Sequence, residues 1–186
     1  MHEDFRRQRI DESHRSQQDF ALERHQKHLG NFEAELDGKL ILDVGSNYPF
    51  FGEYIERNHT DSQVVSIDMD QYSGIDARML ANKLGFQDES FDLIFCHAVN
   101  LSPDQLDAAI REFIRVLRPN GKVRIGPFNE IANPYQVEMW GAMRAVLAEY
   151  RVKGLIQSEV ITVEHSERNG KPNNMYALII QKLTKG

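Results

Sequence analysis

Three residues stand where short apolar runs end, and their types could work on a common ligand. Asp43 lies near the end of KLILDV and two positions before Gly45, within LILDVGSNYPFFGEYI. Asp68 closes QVVSID, 25 positions after Asp43, and His97 follows FDLIFC. An apolar strand that runs into a glycine turn and then a helix offers free backbone N–H groups and the positive end of a helix dipole, which suits an anionic group. An acid at the end of the next strand, at about this separation, can bind ribose hydroxyls. A histidine just past a strand can accept a proton. Singly, each has a plain structural reading: a turn glycine, a solvated strand-end acid, a partly buried histidine with a structural partner. In this order they look like a nucleotide-type cofactor site.

The surrounding elements are those that would hold such a site. The chain has 186 residues, 41% hydrophobic and 27% charged, which fits one globular domain with a real core. No apolar run approaches the roughly 18 residues that span a bilayer, and the first residues carry no apolar signal segment, so a cytoplasmic location is expected. Cys96 is the only cysteine, which excludes an intrachain disulfide and a four-thiolate zinc site; it is expected to be a small core residue. A formal charge of −6 argues against general nucleic-acid binding. Residues 1–19 read as a polar arm, either a loosely attached helix or disordered, and 20–186 as the single domain. Phe20 to Phe32 suggests a helix packed on the body.

Beyond it, strand and helix patterns alternate. Phe50, Phe51, Tyr54 and Ile55 share one helical face. Ser102, Pro103 and Gln105 form a capping box with a proline at the first helical position, opening a helix with Leu106, Ala109, Ile110, Phe113, Ile114 and Leu117 as its buried stripe. RPNG ends that helix and KVRI is the next strand. Asn133-Pro134-Tyr135-Gln136 repeats the cap logic for a helix that brings Val137, Trp140, Met143 and Leu147 to the core. SEVITVEH and MYALIIQK, joined by a turn containing Asn169-Gly170, read as an antiparallel pair. The alternation predicts a mostly parallel α/β sheet covered on both faces, with ligands at the carboxyl ends of its strands.

Taken in order, these pieces resemble class I S-adenosylmethionine-dependent methyltransferases. LILDVGS is similar to the family's first motif and VVSIDMD to its second strand with the terminal acid. LGFQDESFDLIFCHAV and AIREFIRVLRPNGKVRI are similar to the stretches through the fourth and fifth strands. The resemblance covers about Leu40 to Ile125 and implies a doubly wound, three-layer Rossmann-like sandwich with a seven-stranded sheet and one antiparallel strand. It also implies S-adenosylmethionine as cofactor. Gly45, Ser46 and Asn47 would then contact the methionine part, and Asp43 would orient the loop or reach the ammonium through water. Asp68 would take the ribose, with Met69 offering an apolar face to adenine and Leu80 and Ala81 beside it. His97 would face the transferred methyl group or act as a base.

The loop departs from the family's acid-x-Gly-x-Gly-x-Gly pattern at Asn47 and Pro49. Asparagine best tolerates a left-handed backbone among non-glycine residues, and proline suits a first helical position while adding bulk beside the cofactor. Leu80 stands where many relatives carry an acid and cannot accept a hydrogen bond from adenine. The short gap from Asp68 to Leu80 leaves no room for a full helix between the second and third strands. Asn133-Pro134-Tyr135 follows the fifth strand rather than the fourth, so it reads as a helix cap and not as an amino-methyltransferase motif. Asn129 and Glu130 could line an acceptor pocket or form an exposed loop, and His25 and His28 have no metal-site company. Any lid falls to the N-terminal arm and residues 127–136. The leading expectation is methyl transfer to a small acceptor with no membrane partner. The alternative is an inactive binding or regulatory module, motivated by Pro49 and Leu80.

Overall fold

The computed structural model describes residues 2–59, 61–70, 72–129, 134–164, 167–168, 171–172 and 174–184, with the backbone alone at 2–11, 134, 167–168 and 171–172. Its elements run α1 (His2–Leu29), a 3-10 turn at Glu33–Glu35, β1 (Leu40–Val44), α2 (Phe50–Asn58), β2 (Gln63–Asp68), β3 (Ala77–Arg78) and β4 (Phe91–His97). After these come α3 (Pro103–Val116), β5 (Leu117–Asn129), α4 (Pro134–Val152), β6 (Ile156–Glu164), a small hairpin β7 (Glu167–Arg168) and β8 (Lys171–Pro172), and β9 (Met175–Lys182). The main sheet has seven strands in the order β3-β2-β1-β4-β5-β9-β6. Only β9 runs against its neighbours, pairing antiparallel with both β5 and β6. This is the predicted doubly wound sandwich, closed by the predicted hairpin.

Successive side chains of a strand point to opposite faces, and that alternation sorts the core into two layers. Leu42, Val44, Ile94, Cys96, Val123 and Ile125 belong to the layer shared with α3 and α4. Ile41, Leu93 and Phe95 belong to the other, against α1 and α2, where Leu29, Phe32, Phe51 and Ile55 meet them. The α3 capping box is present: the Ser102 hydroxyl accepts from the Gln105 N–H, and the Gln105 side chain accepts from the Ser102 N–H.

Several boundaries differ from expectation. α1 is one helix from His2 and not a helix beginning at Phe20, so the polar arm and the body helix are continuous. β5 starts at Leu117 and absorbs RPNG; Asn120 at φ +66° and the following Gly121 let the strand bulge, and the register with β4 shifts there. Val137 is 55% exposed, because the buried stripe of α4 runs through Trp140, Met143, Val146 and Leu147 and leaves Val137 off its edge. The expected cap at Asn133, the turn at Asn169-Gly170 and Glu130 lie outside the described residues. Among the described residues no helix is long and apolar enough to cross a membrane.

Candidate functional site

A cleft of about 380 Å³ opens at the carboxyl ends of β1, β2 and β4. Its first wall is the β1–α2 loop. Gly45 and Asn47 both adopt left-handed backbone, at φ +78° and +58°, and the N–H groups of Gly45 and Ser46 both donate to the Ile67 carbonyl. A Cβ at Gly45 would stand 2.4 Å from Val99 Cγ2, so glycine is required there by space as well as by φ. Asn47 holds the left-handed turn as expected.

The second wall is built from the end of β2, and one carboxylate joins it to the first. Asp68 Oδ2 accepts from the Asn47 N–H at 3.0 Å, and Oδ1 accepts from the Asp70 N–H at 3.0 Å. Each oxygen keeps a lone pair for a further donor. Met69, Leu80 and Ala81 line the same side, with Met69 and Leu80 58% and 51% exposed into it. Asn82 adds a side-chain amide close to the place where Leu80 offers none. No helix separates β2 from β3 among the described residues.

Pro49 does not crowd this space. It caps α2 with φ −74°, and its carbonyl accepts from the Glu53 N–H. Its ring packs against Gly74 in the β2–β3 loop, where an added Cβ would lie 2.6 Å from the proline Cγ. It is not among the cleft-lining residues.

The third wall comes from β4 and α1. Asp43, Phe95 and Arg124 pair across β1, β4 and β5, and alternation turns Asp43, His97 and Arg124 toward the α1 face. His97 there bonds His28 Nδ1 through Nε2 at 2.7 Å and lies 4.3 Å, ring to ring, from His25. His25 stacks on Phe51 at 3.8 Å and bonds the Ala21 carbonyl. Burial, followed by the neighbouring His25, Arg24 and His28, pushes the His97 pKa down to about 2, so its ring is neutral. Burial, helped by Lys27 and Arg24, also lowers that of His28. Arg24 on α1 reaches the cleft lining, and its buried Nε has no partner among the described residues.

Seven of the nine sequence-predicted residues therefore meet in one cleft: Gly45, Asn47, Asp68, Met69, Leu80, Ala81 and His97. Asp43 and Ser46 lie outside its lining. Asp43 is fully buried toward His25, whose Nε2 is 3.7 Å from Oδ1, and neither carboxylate oxygen has a hydrogen-bond partner among the described residues. Ser46 is 6% exposed and donates its hydroxyl to the Tyr48 carbonyl. Cys96 is buried, and burial raises its thiol pKa above the usual range, which rules it out as a nucleophile. Sequence reasoning missed Arg24, Asn82 and Val99 to Leu101. Those around β4 follow directly from its end, whereas no spacing signal connects Arg24 to the strands. Among the described residues no group of three or more His, Cys, Asp or Glu side chains could hold a metal ion.

The chemistry of this lining fits the expected cofactor. A carboxylate is placed for hydroxyls, apolar faces for a base, and an arginine with an orphaned buried N–H for a carboxylate. Known proteins agree. Residues 42–125 match the methyltransferase-domain family. Phthiotriol/phenolphthiotriol dimycocerosates methyltransferase 1 of Mycobacterium ulcerans is 24% identical over 160 residues, covering 78% of this chain; the chain spans 59% of that relative's length. Among solved structures, the arsenic(III) S-adenosylmethionine methyltransferase of Chlamydomonas reinhardtii superposes with a TM-score of 0.51 at 17% identity, over 80% of this chain and 64% of that one. The [4+2]-cyclase SpnF superposes with a TM-score of 0.56 at 15% identity, over 92% and 81%. These two likenesses show the fold, and a fold hosts more than one chemistry. None of the comparisons supports the reading as an inactive module, and Pro49, half of its motivation, leaves the cleft open. Residues 42–125 thus match a methyltransferase domain, and the chain has the Rossmann-like fold of the solved methyltransferase it superposes on.

Proposed function

We propose that this chain binds S-adenosylmethionine in the cleft between Gly45, Asp68 and His97 and transfers its methyl group to a small-molecule acceptor. The observation that carries the reading is the Asp68 carboxylate, which links the two loops yet still faces a cleft of cofactor type. When bound, the cofactor supplies an electrophilic methyl group on a sulfonium, and transfer then requires mainly alignment with a nucleophile.

The residues divide the work by chemistry. Asp68 accepts from ribose hydroxyls. Met69, Leu80 and Ala81 shield the adenine faces, and the Asn82 amide serves its polar edge. Arg24 offsets the methionine carboxylate beside the start of α2, where Gly45 and Asn47 shape the turn. Neutral His97, with His28, half-exposed, behind it, borders the methyl end of the cleft; its lowered pKa makes it a poor proton acceptor, so it shapes the site and is not its base. The acceptor approaches over Val99, Asn100 and Leu101, with Asn129 on the far side.

Calorimetric titration with S-adenosylmethionine and with the demethylated product tests the reading. Hydrogen bonds to a charged group contribute about 1.5–3 kcal/mol, so Asp68→Ala is expected to weaken both ligands by about tenfold to a hundredfold. Arg24→Ala should weaken both ligands yet spare adenosine, which lacks the carboxylate. Absence of detectable binding by the unaltered protein at millimolar ligand would sink the proposal.

A further inference from the structure

The cleft does not end at Leu101. A smaller cavity of about 180 Å³ shares Val99, Asn100 and Leu101 with it and continues over Pro127 and Phe128 of β5 to Met139 and Trp140 of α4. Trp140 also borders a third and larger cavity, about 690 Å³, between α4 and the strands β6 and β9. The residues that α4 gives to the second cavity are Tyr135, Gln136, Met139 and Trp140; to the third it gives Trp140, Met143, Leu147 and Arg151 among others. Their spacing of three and four marks a single helical face. One side of α4 therefore runs from the acceptor end of the cofactor cleft to the outer edge of the sheet.

The lining of the third cavity is chemically one-sided. Trp140, Met143, Leu147, Ala148 and Val160 form its apolar walls, and Tyr176 closes it beside Trp140 with rings 6.0 Å apart. Arg144 and Arg151 are its only charged lining residues among those described; arginine stems can cover apolar surface while their heads stay in water, and Arg151 donates to the Ser158 carbonyl. Among the described residues no carboxylate or amide side chain lines it. A peptide laid there would bury N–H and C=O groups against side chains that cannot pair with most of them. A hydrocarbon chain would leave none unpaired.

We propose that the acceptor is an amphipathic small molecule, its reactive polar end over Val99–Leu101 and its apolar chain lying along α4 in the groove beyond Trp140. The inference rests on the methyl-transfer reading above and names the substrate class of that same site. The amides of Asn100, Asn129 and Gln136 in the second cavity suit the polar end near the cofactor, and the two flexible methionines, Met139 and Met143, adapt the path to chain shape.

Trp140 is the chain's only tryptophan, so its fluorescence reports directly on this path. The experiment titrates the full chain, saturated with the demethylated cofactor, with a series of n-alkanols from hexanol to dodecanol. Each added methylene is expected to tighten binding by about fourfold, with a change in Trp140 emission, until the groove is full. Ala148→Glu and Val160→Glu, both at exposed positions, place charge in the groove and should remove the dependence on chain length without changing calorimetric binding of the demethylated cofactor. Three results overturn the proposal: cofactor binding with no chain-length-dependent change at Trp140, a change that both variants leave intact, or a dimer that Val160→Glu dissociates, which assigns the face to a second copy. Failure of the cofactor itself to bind overturns the methyl-transfer reading and this inference with it, and calorimetry distinguishes that failure from the others.

Discussion

Gly45→Ala tests the geometry of the β1–α2 loop at its tightest point. Two costs add. A residue with a Cβ held at the φ of +78° found here loses about 1–2 kcal/mol relative to glycine. The new Cβ would also stand 2.4 Å from Val99 Cγ2 and 3.3 Å from the His97 carbonyl, and relieving such overpacking costs about 1–3 kcal/mol. Valine is stiff at χ1 and cannot swing aside cheaply. A central value of about 3 kcal/mol corresponds to a fall in Tm of about 6–12 °C for a chain of this size. Thermal melting by circular dichroism measures it, and calorimetry should show a parallel loss of cofactor affinity.

A double-mutant cycle separates the two costs. Val99→Ala removes the clashing methyl group but leaves φ untouched, so Gly45→Ala in that background should recover the steric part and retain the backbone part. The expected coupling is about 1–2 kcal/mol, well outside the 0.3–0.5 kcal/mol scatter of roughly additive pairs. Strict additivity, or a Gly45→Ala protein that melts with the unaltered one, would refute the close approach of this loop to the β4–α3 connection.

Two further outcomes follow from the same walls. Asn47→Gly should hold stability within about 0.5 kcal/mol, whereas Asn47→Val should cost about 2 kcal/mol by urea unfolding, because a β-branched residue resists φ of +58°. His97 has a folded-state pKa pushed below its ordinary 6.5 to about 2, so the unfolded chain binds the extra proton between those values and stability falls as pH drops below 6.5. From pH 7 to 5 the loss at this one group is about 2 kcal/mol, and His97→Asn should flatten the pH dependence of urea unfolding by that amount; an unchanged slope would show that the ring is not held neutral.

Much of this was legible because it is local. Strand and helix periods, the capping box at Ser102, and the acids and glycine at strand ends each depend on neighbours within a few residues. What failed depends on distance. Both faces of the central strands are buried, so the pattern LILDV shows that Asp43 and Val44 point opposite ways but not which way the cofactor lies. Asp43 fell on the α1 face and Val44 in the cleft lining. RPNG has every mark of a turn, yet Asn120 and Gly121 were used to bulge a strand. Arg24 lies outside the family-matched residues 42–125 and enters the cleft only because α1 packs across α2 and β4.

The loop that departs from the glycine pattern shows how such losses are offset between segments rather than within one. Asn47 replaces a glycine at a position that still needs left-handed backbone, and its N–H is then fixed by Asp68 across the cleft. Pro49 replaces a glycine where the backbone does not need one, and its ring is received by Gly74, whose own φ of +88° favours glycine. A side chain at 74 would collide with the proline, so the smallness missing from the first loop reappears in the second. Read along the first loop alone, the two substitutions look like decay of a cofactor site. Read with the β2–β3 loop opposite, they are one half of a matched pair of surfaces, and the half that carries Asp68 is the one that keeps the cleft in its working shape.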